Sequence, residues 1–357
     1  VAPEFATNEE IVRQARRRLN QEAWDYLTGA SESETSMRRN RAGFDRLAFL
    51  PRTLVDVSNV DTSTTLMGHK LNAPVILAPM GTLQTLDREG GAASTKAAAE
   101  FGTLHVVSSV TQPSLEDISA ATDAPKIFQL YIRGGWAWVE EMLGRINAAG
   151  YKGLCITVDT AVQSRRERVM MNRLARGGGS DRNPLYPATV TWELLDKIKE
   201  TSGLPLMVKG IATAADASLA VEHGVDVVWV SNHGGRQLDH NRGTMDMLPE
   251  IVGVVGGRAE VIMDGGVQRG SDMAKALALG AKAVAIGKLQ GWGLGADGAA
   301  GVQRVLEILA EELFVAMSLL GVTSVDQLTP DYVCPADIMT TPHEMSSWVN
   351  MPGDRLL

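Results

Sequence analysis

Short, continuous apolar runs recur along the chain from Pro74 onward: "PVILAPMG", "LHVVSS", "KIFQLY", "GLCITVD", "PLMVKG", "VVWVSN", "EVIMDGG" and "AVAIG". They do not alternate apolar with polar positions, which is the pattern of strands buried on both faces. Between them the spacing turns helical, as in "EGGAASTKAAAEFG", "GWAWVEEMLGRINAAG", "ATAADASLAVEHG" and "GSDMAKALALG", several of which close on a glycine stop. Ahead of this region, "NEEIVRQARRRLNQEAWDYLTGA" reads as amphipathic helix with Asn8 as its cap and Gly29 as its stop, and "SETSMRRNRAGFDRL" as a second polar helical stretch.

Eight strand–helix units predict an α/β chain built as a (β/α)8 TIM barrel over residues 74–321. An N-terminal helical segment over 1–73 precedes it and an irregular tail over 322–357 follows, wrapping the barrel or a neighbouring subunit. The alternative, a doubly wound open sheet, is disfavoured by the regular count and by the lack of a Gly-rich dinucleotide turn after the first strand. One unit is interrupted: the Gly-, Pro- and charge-rich stretch around residues 169–190 reads as a long mobile loop.

Composition changes this picture little. The 357 residues are 45% hydrophobic and 21% charged, within the range of globular proteins. A net charge of −8 argues against a nucleic-acid surface but leaves room for a local basic pocket. No apolar run approaches the roughly 18 residues that span a bilayer, so no membrane span is expected. The first residues carry acidic groups and no continuous apolar core, so a signal peptide is not expected either. Two distant cysteines, Cys155 and Cys334, suggest neither a disulfide framework nor a metal site, and a reducing, cytoplasmic location follows as the default.

The strand ends hold the chemistry. In such a barrel the reactive groups stand at the C-terminal ends of the strands, and here those ends read "APMG", "SS", "QLY", "TVD" with "SRRER" beyond, "VKG", "SNHGGR", "MDGG" and "IGK". His233 suits a base near neutral pH, oriented by a carboxylate such as Asp159. Arg236 and Arg166 offer planar forks for a carboxylate. The glycines between His233 and Arg236 are expected to let a planar ligand approach the backbone. The glycines after strands seven and eight, with Lys288 and the helix start "GSDMAK", match the phosphate site common in barrels. A phosphorylated cofactor and a carboxylate-bearing substrate are therefore expected at one mouth.

These residues resemble a known family. "SNHGGRQLD" is similar to the signature of the FMN-dependent α-hydroxy acid oxidases and dehydrogenases, and "YLTGASE", "QLYIR", "TVDTAVQSRRERVMMNRL", "VKGI", "DGGVQRGSDMAKALALGA" and "TPDYV" agree in order and spacing from about Tyr26 to Tyr332. The resemblance implies FMN as cofactor and oxidation of an (S)-2-hydroxy acid to the 2-keto acid. His233 would be the base, Asp159 its ionic partner, and flavin N5 the two-electron acceptor, reoxidised by O2, a quinone or another acceptor. It further implies Arg166, Arg236 and Tyr26 at the substrate carboxylate, Tyr131 near the substrate hydroxyl, and Lys209 beside flavin N1 and O2. Pro79, Met80, Gly81, Ser108, Gln129, Thr157 and Ser231 would contact the flavin, and Asp264, Gly265, Gly266, Gln268, Gly287 and Lys288 the ribityl and phosphate end. A homotetramer is implied as well. Oxidative decarboxylation in the manner of lactate monooxygenase, or a catalytically silent flavin-binding subunit, are the alternatives.

Four positions depart from the family. Gln268 and Lys288 stand where two arginines usually meet the phosphate, so FMN is expected to bind less tightly, with Arg269 as the nearest alternative cation. Gly81 replaces the alanine of many oxidases. Val110 replaces the tryptophan of glycolate-oxidising members and leaves room for a larger substrate side chain.

Overall fold

The computed structural model describes residues 5–172, 186–342 and 345–348. Most of the long loop expected over 169–190 thus lies outside the described residues, which include its flanks as a short helix, Glu167–Met171, and a 3-10 turn, Tyr186–Thr189.

All eight apolar runs form parallel strands: β1 Val75–Leu77, β2 Val106–Ser108, β3 Ile127–Leu130, β4 Leu154–Thr157, β5 Leu206–Ile211, β6 Val227–Val230, β7 Glu260–Asp264 and β8 Ala283–Ile286. From β2 to β8 each strand pairs with the next, and β8 pairs back onto β1. The remaining seam, β1 to β2, closes through a parallel bridge between Leu77 and His105, with the Leu77 amide donating to the Leu104 carbonyl. The sheet is a closed barrel, which leaves no edge.

Strand side chains alternate with a period of two, and this sorts the interior. Ile76, Val106, Ile127, Cys155, Met207, Val227, Trp229, Ile262, Ala283 and Ala285 form one apolar cluster that fills the barrel. Two residues further along β2, β3, β4, β5 and β7 the same inward parity carries Ser108, Gln129, Thr157, Lys209 and Asp264, all buried. The barrel is therefore apolar below and polar at its C-terminal rim, and the change falls within one step of the strand repeat.

The lower end is stoppered by a hairpin of Thr64–Leu66 and His69–Leu71, whose Leu66 and Leu71 join the interior cluster. The Met67 amide donates to Glu260 at the start of β7 and pins the hairpin there. The first predicted helix divides in two, Asn8–Arg18 and Gln21–Thr28. The cap of the first is Thr7 rather than Asn8, in a reciprocal capping box with Glu10, and Asn20 caps the second through the Ala23 amide. Helix Thr35–Asp45 leans over the C-terminal rim. The tail returns to this region, with Val333–Pro335 pairing antiparallel to Leu47–Phe49. No helix among the described residues is long and apolar enough to cross a membrane.

Candidate active site

At the C-terminal rim lies an elongated cavity of about 670 Å³. Its wall takes Lys209 of β5 and Asp264 of β7, the segments just beyond β1 (Pro79 to Thr82), β7 (Gly265 to Gln268) and β8 (Gly287, Lys288), and the loop holding His233, Gly234 and Arg236. Tyr26 and helix Thr35–Asp45 close it from above, and Val110, Tyr131 and Arg166 complete the substrate side.

His233 follows β6 at φ 58°, and Gly234 and Gly235 continue left-handed at 63° and 77°. A non-glycine residue pays about 1–2 kcal/mol in that region. Four bonds hold the turn: the His233 amide donates to Ser231 Oγ at 3.0 Å, the Gly235 amide to Asn232 Oδ1 at 3.1 Å, and Asn232 exchanges two side-chain bonds with Asn40. The turn brings His233 Nδ1 to 2.9 Å from Asp159 Oδ1. Gly210 makes room for that carboxylate. It sits in a bulge of β5 at φ 112°, and a Cβ there would stand 2.8 Å from Asp159 Cβ.

The glycines of the signature serve differently from the expectation. Gly235 faces protein, because a Cβ on it would fall 2.5 Å from the Met37 amide nitrogen, and helix Thr35–Asp45 needs that space. Only Gly234 has open room and lies on the cavity wall.

Burial pushes the His233 pKa below its ordinary 6.5, and Asp159 only partly opposes this. For Asp159 itself burial pushes upward, but the His233 ring and Lys209 outweigh it and hold the carboxyl below the usual range. An ionised Asp159 accepts, so Nδ1 of the neutral imidazole carries the hydrogen and Nε2 keeps its lone pair.

Lys209 donates to Ser231 Oγ at 2.8 Å and lies 3.0 Å from Asp264, which also accepts from Ser231 at 2.7 Å. Burial disfavours the ammonium, yet Asp264 and Asp159 more than offset it and keep it charged. Arg236 donates to the carbonyls of Tyr26 and Gly29, both at 2.7 Å, and stacks on the Tyr26 ring. Arg166 donates to the Arg236 carbonyl at 3.2 Å and to Gln237. Among the described residues neither guanidinium pairs with a carboxylate. Burial, and then Arg166, pull the Arg236 pKa down to about 10, still charged at neutral pH. Two like charges held close in a desolvated wall form a site for an anion. Burial lifts the Tyr131 phenol to about 12, so it remains a neutral donor. The Tyr26 hydroxyl donates to the Gly81 carbonyl at 3.1 Å.

The residues fit FMN. Ser108, Gln129, Thr157 and Ser231 do not form the cavity wall; they occupy the buried polar layer at the rim. Ser108 bonds Gln129, yet Gln129 Nε2 and Thr157 Oγ1 have no partner among the described residues. Buried polar atoms without partners cost roughly 1–3 kcal/mol each and are expected beside a polar ligand. At the far end, the wall is glycine-rich backbone at the starts of helices Gly270–Ala278 and Lys288–Leu320, as a phosphate requires.

Arg269 does not contribute there. Its guanidinium turns onto Glu312 at 2.7 Å, the Ser347 carbonyl and the Trp348 ring. Several wall residues received no role from the sequence, Asn40, Arg41 and Gln237 among them. Asn40 and Arg41 lie in the second polar helical stretch, and Gln237 lies within the signature "SNHGGRQLD". Arg41 is buried in a two-pronged pair with Asp272, both bonds 2.7 Å, and Gln237 donates to the Asp159 and Val162 carbonyls. Local sequence carried no signal for contacts between 75 and 231 residues apart.

Known proteins resemble this chain over most of its length. The sequence profile described as FMN-dependent dehydrogenase matches residues 15–183 and 177–335. An L-lactate oxidase of Nostoc sp. is 39% identical over 348 residues, covering 89% of this chain and 95% of its own. A peroxisomal (S)-2-hydroxy-acid oxidase of Oryza sativa subsp. japonica is 38% identical over 340 residues, covering 89% and 93%. A crystal structure of mandelate oxidase with 3,3-difluoro-2-hydroxy-3-phenylpropionic acid superposes with TM-score 0.88 at 35% identity, covering 93% of this chain and 100% of its own.

Proposed function

The chain belongs to the FMN-dependent dehydrogenase family, and from that premise we propose how its residues share the oxidation of an (S)-2-hydroxy acid to the 2-keto acid. FMN, when bound, supplies the two-electron acceptor. Pro79 to Gly81, Ser108, Gln129, Thr157, Lys209 and Ser231 would hold its ring, and Asp264 to Gly266, Gln268, Gly287 and Lys288 its ribityl and phosphate end. Lys209, fixed by Asp264, keeps a positive charge in the wall.

Arg166 and Arg236 take the substrate carboxylate, with the Tyr26 hydroxyl at their side. Tyr131 donates to the substrate's 2-oxygen. His233 Nε2 removes the proton, and Asp159 stabilises the imidazolium that results. One observation carries this reading: a neutral His233 braced 2.9 Å from Asp159 shares a cavity with two arginines that have no carboxylate partner among the described residues. The substrate side chain is larger than that of glycolate, and the second substrate is dioxygen or another acceptor such as a quinone.

Anaerobic mixing of the yellow protein with lactate, mandelate and longer 2-hydroxy acids tests the assignment. Bleaching by at least one acid is expected, and a protein that stays yellow across the panel is a silent subunit. Under air, peroxide marks simple oxidation and carbon dioxide marks oxidative decarboxylation. The same measurement against pH has a definite sign. The base works unprotonated, so the reduction rate is expected to fall as the medium is acidified, with the midpoint of the fall below pH 6.5, because burial holds the His233 pKa under its ordinary value. A drop centred above pH 7 contradicts this role.

We also propose a homotetramer in the cytoplasm. Exposed Val315 and Leu319, one turn apart on the last helix, and exposed Leu54 and Val55 support an interface there, and both cysteines are unpaired. Light scattering at four times the chain mass is the expected result.

A further inference from the structure

A group of buried polar side chains lies behind the ends of β1 and β8, outside the barrel wall. Val106 joins the apolar cluster inside the barrel, so His105 beside it points the other way, toward the helices. Its backbone forms the bridge to Leu77 that closes the seam between β1 and β2. Its ring meets Thr95 Oγ1 at 2.8 Å through Nδ1 and the Gln290 amide at 3.4 Å through Nε2. Ser94 and Thr95 come from helix Gly91–Phe101, and Gln290 from the first turn of helix Lys288–Leu320. All four side chains are buried.

Only one orientation of the Gln290 amide suits its surroundings. With its nitrogen toward the strand ends it donates to the Ala78 carbonyl at 3.0 Å and to the Ile286 carbonyl at 3.3 Å. Its oxygen then accepts from Ser94 Oγ at 3.1 Å. The reverse would set an oxygen against two carbonyls. The amide oxygen also faces His105 Nε2, which therefore carries the ring hydrogen, and Nδ1 accepts from the Thr95 hydroxyl. Burial, and then Lys126, push the His105 pKa down to about 3, so the ring stays neutral.

Ala78 and Ile286 lead directly into the cofactor end of the cavity. Pro79 to Gly81 follow the one and Gly287 and Lys288 the other, and all five line the wall. The two segments also meet directly, the Ala78 amide donating to the Ile286 carbonyl at 3.0 Å. Gln290 grips this junction from behind, on the side away from the ligand.

We infer that Gln290, oriented by Ser94 and His105, is a positioning residue for the cofactor, holding the backbone that faces the flavin ring and the backbone that faces its phosphate in one arrangement. This rests on the reading of the cavity as an FMN site. A network that served packing alone would stabilise the chain and leave cofactor affinity as it is.

The test compares the full-length, FMN-loaded chain with its Gln290→Met, Ser94→Ala and His105→Leu forms, and with S94A and H105L each combined with Q290M. Recovery of free FMN fluorescence on dilution gives the dissociation constant, and chemical denaturation without FMN gives the stability of each form. Q290M keeps the side-chain length and removes both donors, so FMN is expected to bind about tenfold more weakly, the scale of one positioned hydrogen bond. S94A and H105L are expected to weaken binding about threefold each, and to add less than about twofold once residue 290 is methionine, because they act through its amide. FMN affinity within about twofold of the starting protein in Q290M, or strictly additive losses in the double forms, overturns the inference. Lower stability with unchanged FMN affinity does the same and leaves the group a packing feature. S94A removes a single hydroxyl, so it decides should Q290M or H105L not fold. Unaltered affinity in S94A overturns the inference, and a loss of about threefold supports it. Failure of the unsubstituted chain to bind FMN counts against the cofactor reading itself, and it shows before any variant is compared.

Discussion

Replacing His233 with alanine is expected to leave the flavin bound while reduction by substrate falls by about a thousandfold or more, within or beyond the range for loss of a positioned base. The cofactor should stay because the His233 side chain takes no part in the network of Lys209, Ser231 and Asp264. The chemistry should go because no other group of suitable basicity replaces it. Tyr131 is a neutral phenol with a pKa near 12, and Asp159 is an ionised carboxylate buried behind the imidazole. Asp159→Asn should cost less, since it keeps the ring but removes the charge that orients Nδ1 and steadies the imidazolium. Anaerobic stopped-flow reduction with matched flavin content reads both. Near-normal reduction in H233A would remove His233 from the base role, and loss of flavin instead would make it a structural residue.

The second large effect concerns stability. Arg41 and Asp272 are almost wholly buried and bonded in two prongs, and Arg41 also donates to the Gly266 carbonyl. Burial opposes both charges, yet each holds the other ionised. The Arg41 pKa therefore lies above its usual range and that of Asp272 below. Asp272→Asn leaves the buried guanidinium with Asp45 as its carboxylate partner and offers one carbonyl oxygen where two carboxylate oxygens served Arg41 and the Gln268 and Arg269 amides, at an expected cost of about 3 kcal/mol. Chemical denaturation of the cofactor-free protein measures it, and a change under about 1 kcal/mol would show the pair to be dispensable. The sign of the pH dependence follows from the lowered Asp272 pKa. Its contribution is fully present above the ordinary aspartate value, near 3.9, and disappears as pH falls through the lower folded value.

Much of this was legible before any coordinates. The eight strands announced themselves because a strand buried on both faces cannot hide its apolar run, as "VVWV" before Ser231 illustrates. The polar rim could be read too, since Lys209 and Asp264 follow Met207 and Ile262 by two residues, one full period of a strand. What stayed hidden depends on partners remote in sequence. Arg41 sits in an arginine-rich polar helical stretch, and its burial goes with partners at Asp272, Asp45 and the Gly266 carbonyl. Gly235 invited a ligand explanation, and Met37 of a distant helix supplies the true one. The direction of Arg269 is set by Glu312 and the tail, which no local pattern encodes.

The wall that Arg41 completes also imposes a schedule. Its partner Asp272 lies 231 residues downstream. At about 5–20 residues per second, a ribosome needs on the order of ten to fifty seconds between the two. During that interval helix Thr35–Asp45 has neither its ionic anchor nor the backbone of Gly266 to rest on. The cofactor pocket is thus finished by the joining of the chain's beginning to its last quarter. A nascent chain halted before β7 would contain the first six strands and still have no place for FMN.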